Sequence, residues 1–152
     1  MCICFCHFYD KAVRFIAMEN NNLINELLAI PSETRNLEFK RLGSRNEGID
    51  KVLQSLVAMA NTDGGLLVLG VDDPEKTRLK GMERVFGIEE NLELYDELGH
   101  CIKKIAPPLA SIWPPELIEV SEKGVRVGLL AVPKVSDEFR SIEGHVYIRQ
   151  EK

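Results

Sequence analysis

At 152 residues, 45% hydrophobic and 28% charged, the chain has the length and composition of one globular domain, which excludes wholesale disorder, low-complexity and collagen-like classes. Its formal charge of −5, from 19 Lys and Arg against 24 Asp and Glu, excludes a uniformly basic histone-like binder. A local basic stripe stays compatible with that total, because nucleic-acid binding depends on where the charges sit. No apolar run approaches the ~18 residues of a membrane-spanning helix, so no membrane association is expected.

The chain opens Met1-Cys-Ile-Cys-Phe-Cys-His-Phe-Tyr9, which holds three of the four cysteines. It lacks the basic start and small-residue cleavage site of a secretory signal. Cys2, Cys4, Cys6 and His7 lack the C-x2-C spacing of common zinc knuckles. A polar run follows Met18. Residues 1–17 are therefore expected to be a non-native or disordered extension, with Met18 as the start and one domain over residues 18–152. Only Cys101 remains in that domain, which points to a reducing, cytoplasmic setting.

Leu23, Ile24, Leu27, Leu28 and Ile30 recur near helical spacing, with Asn22 available as a cap and Pro31 as a stop. Residues 36–40 read as extended, so Leu37 and Phe39 face one way and Glu38 and Lys40 the other. Gly43 and Ser44 make a turn. Ile49, Val52, Leu53, Leu56, Val57 and Ala60 give the strongest helical period in the chain. Gly64 and Gly65 end that helix, serving as its cap and a tight turn. The apolar run 66–71 predicts a strand buried on both faces, terminated by Asp72-Asp73-Pro74. Residues 78–81 suggest a brief strand and turn. Leu92, Tyr95, Leu98, Ile102 and Ile105 predict a helix stopped by Pro107-Pro108. Residues 116–121 and 125–132 flank Glu122-Lys-Gly124 as a hairpin, and a last strand is expected over 145–149. The sum is a single-domain α+β fold, a mixed β-sheet with about three helices.

Two groups of residues could carry chemistry. Glu38 and Lys40 share a strand face with Glu33 five residues upstream, and the buried strand delivers Asp72 and Asp73 at its end. Carboxylates meeting above a sheet would bind a hard cation such as Mg2+ and activate water for phosphodiester hydrolysis, with Lys40 stabilising charge on the phosphate. The competing account is local. Glu38 and Lys40 pair across one face, worth up to roughly 1 kcal/mol, and Asp-Asp-Pro is ordinary turn chemistry. A phosphate loop at Gly64-Gly65 is disfavoured, because these glycines leave a helix and enter a strand, the reverse of the required order. The second group is the basic residues Arg35, Lys40, Arg41, Arg45 and Lys51, set against Glu89, Glu90, Glu93, Asp96 and Glu97 further on. That polarity could give one basic face and one acidic face.

Taken in order, Glu33-Thr-Arg-Asn-Leu-Glu-Phe-Lys40, Ala58-Met-Ala-Asn-Thr-Asp-Gly-Gly65, Leu69-Gly-Val-Asp-Asp73, Lys80-Gly81, Ile105-Ala-Pro-Pro108 and Gly144-His-Val-Tyr-Ile-Arg149 closely resemble the Schlafen-type AlbA domain family, over roughly residues 25–151. The resemblance implies a Schlafen AlbA-like fold and binding to DNA or RNA, regulatory in many bacterial and archaeal members. Lys40, Arg41, Arg45, Lys51 and Arg149 would contact phosphates. In ribonuclease members three acids cut RNA. They match Glu33, Glu38 and a position in Val-Asp-Asp better taken as Asp73 than Asp72. An endoribonuclease holding Mg2+ or Mn2+ on Glu33, Glu38 and Asp73, with Lys40 assisting, is therefore the alternative. A nucleotide-binding or interaction module is the third reading. Schlafen proteins form their RNA groove from two such lobes, so a single lobe implies a homodimer.

Overall fold

Strands that are apolar on both sides need cover on both sides. The computed structural model describes residues 20–43, 48–109 and 112–150. The expected extension at 1–17 and the candidate Arg45 lie outside the described residues. In chain order the elements are α1 (Asn20–Ala29), β1 (Leu37–Lys40), α2 (Ile49–Asn61), β2 (Gly65–Leu69), α3 (Leu92–Cys101), β3 (Ile105–Ala106), β4 (Glu116–Val120), β5 (Val125–Val132) and β6 (Ser141–Ile142). Short 3-10 turns occupy Gly81–Arg84, Ile88–Asn91 and Ile102–Lys104. The main sheet runs β1-β2-β5-β4, with β1 parallel to β2 and the other pairs antiparallel. A second sheet pairs β3 with β6. Among the described residues this is the mixed sheet with three helices expected of a single α+β domain.

The period-two alternation of β2 decides what covers each face. Leu66 and Val68 pack with Leu37, Phe39, Val127 and Leu129 under Leu23, Ile24 and Leu27 of α1. Leu67 and Leu69 pack with Leu130 and Val132 against Val52, Leu53, Leu56 and Val57 of α2 and Leu98 of α3. Leu56 and Val57 are wholly inaccessible, and burying a side chain of that size contributes about 1.5–3 kcal/mol. A parallel pair needs a long crossover, and α2 supplies the one from β1 to β2. The crossover lays α2 over the face of β1 that carries Glu38 and Lys40.

Two glycine positions hold this geometry. Gly64 has φ +71° and donates its N–H to the Met59 carbonyl at 2.7 Å, closing α2 in the left-handed region that a side chain disfavours. A Cβ on Gly65 would lie 2.4 Å from the Asn36 carbonyl oxygen, so the role of Gly65 is close approach of β2 to β1.

The chain departs from its sequence pattern at five places, one of them the helix expected through Ile105, which ends at Cys101 and gives way to β3 at Ile105–Ala106. The apolar run 66–71 stops pairing as a strand at Leu69, because Gly70 takes φ +97° and its carbonyl accepts from Phe86 and Gly87. Residues 78–81 form no strand, and the 3-10 turn Gly81–Arg84 begins there instead. Asn22 lies inside α1 and does not cap it. The expected last strand, 145–149, makes only a single bridge, His145 with Ile142. Its other backbone bonds go to side chains: Asn61 donates to the Tyr147 carbonyl at 3.0 Å, and the Arg149 N–H donates to the Thr62 hydroxyl at 2.8 Å.

Candidate nucleic-acid interface

β1 is an edge strand. Its carbonyls at Asn36 and Lys40 accept from Leu66 and Gly70, so the even-numbered residues turn their backbone toward β2 and Phe39 turns its N–H outward. The Glu33 carboxylate accepts that N–H at 2.9 Å. Glu33, 8% exposed, thereby covers an otherwise open strand edge.

On the α2 side of β1, Glu38 accepts from Lys40 Nζ at 3.0 Å through one oxygen and from Arg149 Nη1 at 2.6 Å through the other. The three side chains are 7%, 8% and 11% exposed. Burial by itself would raise the Glu38 pKa. The positive charges of Lys40 and Arg149, with hydrogen bonds from Lys40 and Ser55, outweigh burial and hold the carboxyl below its usual range. Arg149 has further partners: its Nε donates to the Arg35 carbonyl at 3.3 Å and its Nη2 to the Thr34 carbonyl at 3.1 Å. One guanidinium thus ties the C-terminal segment to the chain entering β1.

Above this cluster lies an open groove of about 510 Å3 between α2 and residues 147–150, lined by Lys40, Lys51, Gln54, Ser55, Tyr147 and Arg149 among others. Lys51 is exposed on α2 and makes no ion pair among the described residues.

A second concavity of about 480 Å3 holds Phe39, Arg41, Asp72, Asp73 and Lys76. Arg41 forks onto Glu90 at 2.8–3.2 Å, reaches Asp72 at 3.4 Å and lies 3.4 Å from the centre of the Phe86 ring. Hydrogen bonding to Glu90 outweighs partial burial and, with the charges of Glu90 and Asp72, raises the Arg41 pKa. Asp73 accepts from the Glu75 N–H at 2.9 Å and pairs with Lys76 at 3.6 Å. Buried Arg84 donates to the Asp72 and Leu28 carbonyls and sits 5.0 Å from the Phe39 ring centre. Its burial lowers its pKa against the opposing charges of Asp73 and Asp72.

The fold therefore brings Glu38, Lys40, Lys51 and Arg149 together. It sends Arg41 and Asp73 to the other concavity and Glu33 to the strand edge. Among the described residues no three His, Cys, Asp or Glu side chains are grouped so as to hold a metal ion. The set Glu33, Glu38 and Asp73 does not fit Mg2+ or Mn2+ as arranged: Glu33 binds a backbone amide, Glu38 two cations, and Asp73 an amide and a lysine. The expected phosphate contact at Arg149 meets a guanidinium already directed at Glu38 and two carbonyls. Residue spacing gave no hint of Ser55, Thr62 or Asn61. Asn61 bonds both the N–H and C=O of Arg140 besides Tyr147. Its one available signal was a side-chain hydrogen bonder at the end of an apolar helix.

The sequence matches the family described as Schlafen, AlbA_2 over residues 33–152. The chain belongs to the Schlafen AlbA_2 family. Both concavities lie within the matched span. No curated protein matches the chain. Among solved structures it is similar to the N-terminal domain of a Nitrosomonas europaea protein named as ATP-dependent DNA helicase RecG-related, determined by solution NMR. Identity is 24% and the TM-score 0.54, over 89% of this chain and 90% of that one. At that identity the likeness bears on the fold of this Schlafen AlbA_2 domain.

Proposed function

We propose that this Schlafen AlbA_2 domain binds the sugar-phosphate backbone of DNA or RNA along the groove between α2 and residues 147–150, in a regulatory role, and that two copies pair to line a longer groove. The observation that carries the reading is the charge of the groove: Lys40, Lys51 and Arg149 line it, and Glu38 beneath pairs with Lys40 and Arg149 only. Glu38 holds the Lys40 ammonium in place, and exposed Lys51 is available to meet a phosphate. Gln54, Tyr147 and Gln150 add neutral hydrogen-bonding groups along the same walls. Lysine and arginine side chains contact phosphates, so the cations of these walls favour backbone contacts. The family membership and the helicase-related name of the structural neighbour agree with a nucleic-acid role.

Two phosphates neutralised by Lys40 and Lys51 should release counterions with a slope of log affinity on log salt of about −2, and a paired groove about −3 to −4. Fluorescence anisotropy of a labelled oligonucleotide between about 50 and 200 mM salt measures it. A salt-independent affinity would overturn backbone binding. Equilibrium sedimentation showing a monomer at micromolar concentration would overturn the pairing. No RNA cleavage is expected with Mg2+ or Mn2+ added. Cleavage abolished by Glu38→Ala in a folded protein would restore the endoribonuclease alternative.

A further inference from the structure

Resting on that backbone-binding reading, we propose that the ligand is single-stranded and lays its unpaired bases on an apolar strip that borders the groove. The strip is formed by residues 139–148. Ile142 and His145 exchange both backbone hydrogen bonds, at 2.9 and 2.8 Å, and the Asn61 amide bridges the two arms between Arg140 and Tyr147. Side chains alternate on each arm. Arg140, Ile142 and Tyr147 turn toward the domain, and Phe139, Val146 and Ile148 turn away from it.

The outward three are strongly exposed, at 62%, 52% and 62%. Ile148 also lines the groove beside Lys40 and Lys51, so the apolar strip and the cationic wall are continuous. A duplex offers phosphates and sugars to such a surface but keeps its base faces stacked, whereas a single strand can give phosphates to the lysines and base faces to Ile148, Val146 and Phe139. Exposed Glu143 sits at the turn between the arms, while exposed Asp137 and Glu138 precede Phe139, with Asp137 paired to Arg140 at 2.9 Å. The cations Lys40 and Lys51 line the groove and not the strip, which places the phosphates in the groove and the bases over the strip. The patch exposes on the order of 300 Å2, the size of an ordinary functional patch and well short of the ~800 Å2 per partner of a stable protein complex, so a nucleobase fits it better than a second copy of the chain.

The test uses the full chain with three fluorescent probes, oligo(dT) and oligo(U) of about 12 nucleotides and a blunt DNA duplex of equal length. Binding of either single strand at least ten-fold tighter than the duplex is expected. Phe139→Ser and Val146→Ser, both at exposed positions outside the groove lining, should each weaken single-strand binding about three- to ten-fold and leave both duplex binding and the salt slope unchanged. Equal affinity for strand and duplex, or unaltered binding by both variants, would overturn the single-strand assignment while leaving backbone binding intact. Loss of self-association in Phe139→Ser with binding unchanged would assign the strip to a second copy and likewise overturn it. If no probe binds with salt dependence, backbone binding itself fails.

Discussion

Lys40 and Arg41 are neighbours, both basic, and both candidates for phosphate, yet they end in surroundings of opposite character. Lys40 joins a groove lined by three cations, two of which share one carboxylate. Arg41 joins a cluster where it and Lys76 face Asp72, Asp73 and Glu90. Adjacent residues of an extended segment point to opposite sides, so their chemistry is set by which other parts of the chain each side meets. One side offers net positive charge to a polyanion; the other is internally compensated.

The contrast predicts its largest effect at Glu38. Glu38→Ala leaves Lys40 and Arg149 buried without a counter-charge and should lower unfolding free energy by about 3–5 kcal/mol. Glu90→Ala, beside an Arg41 side chain that is 35% exposed, should cost no more than about 1 kcal/mol. Urea denaturation of the two variants checks the ratio, and equal losses would erase the distinction between the clusters.

The same asymmetry has a pH signature. The folded-state pKa of Glu38 lies below its ordinary value of 4.5. Its ion pairs therefore contribute stability that is complete above that value and is lost as pH falls through the lower folded-state pKa. Denaturation curves from about pH 6 down to pH 3 should show this loss in the wild type, and Glu38→Gln should lack that component.

A smaller effect is expected at Arg149. Lysine cannot reproduce a fork that serves Glu38, Thr34 and Arg35 at once, so Arg149→Lys should cost about 1–3 kcal/mol. Hydrogen exchange should speed up at the Arg149 amide, which is held on Thr62. The smallest effects are on binding. Lys51→Ala should weaken oligonucleotide binding several-fold and reduce the salt slope by about 1. Arg41→Ala should change affinity by less than about two-fold, since its charge is spent on Glu90 and Asp72. A larger loss in Arg41→Ala would move the interface to the other concavity.

Much of the fold was legible because local period and burial agree. The 3.6-residue spacing of Ile49 to Ala60 became α2, and the unbroken apolar run from Leu66 became the doubly covered β2. The turn at Glu122-Lys-Gly124 joined β4 to β5. The last strand was misread, because its alternation is real but its partners are the Asn61 and Thr62 side chains at the end of α2, and no pattern within 145–149 encodes them. Of the candidate site, the facing of Glu38 and Lys40 followed from alternation in β1. Their third partner, Arg149, lies 111 positions from Glu38, far beyond the reach of any local rule. Asp73 was expected to join Glu33 and Glu38. Among the described residues it instead accepts the Glu75 N–H and pairs with Lys76, lining the other concavity.

The sequence by itself determined α2, β2, the β4–β5 hairpin and which face of β1 would carry charge, since each depends on residues within a few positions of one another, and it showed the family through the order of motifs along the chain. Only the tertiary structure decided which charges neutralise and which remain to meet a ligand. That outcome depends on the crossover of α2 and the return of the C-terminal segment past it. Electrostatic interactions act across space, so residues far apart in the chain settle whether a lysine is a structural partner or a contact for phosphate.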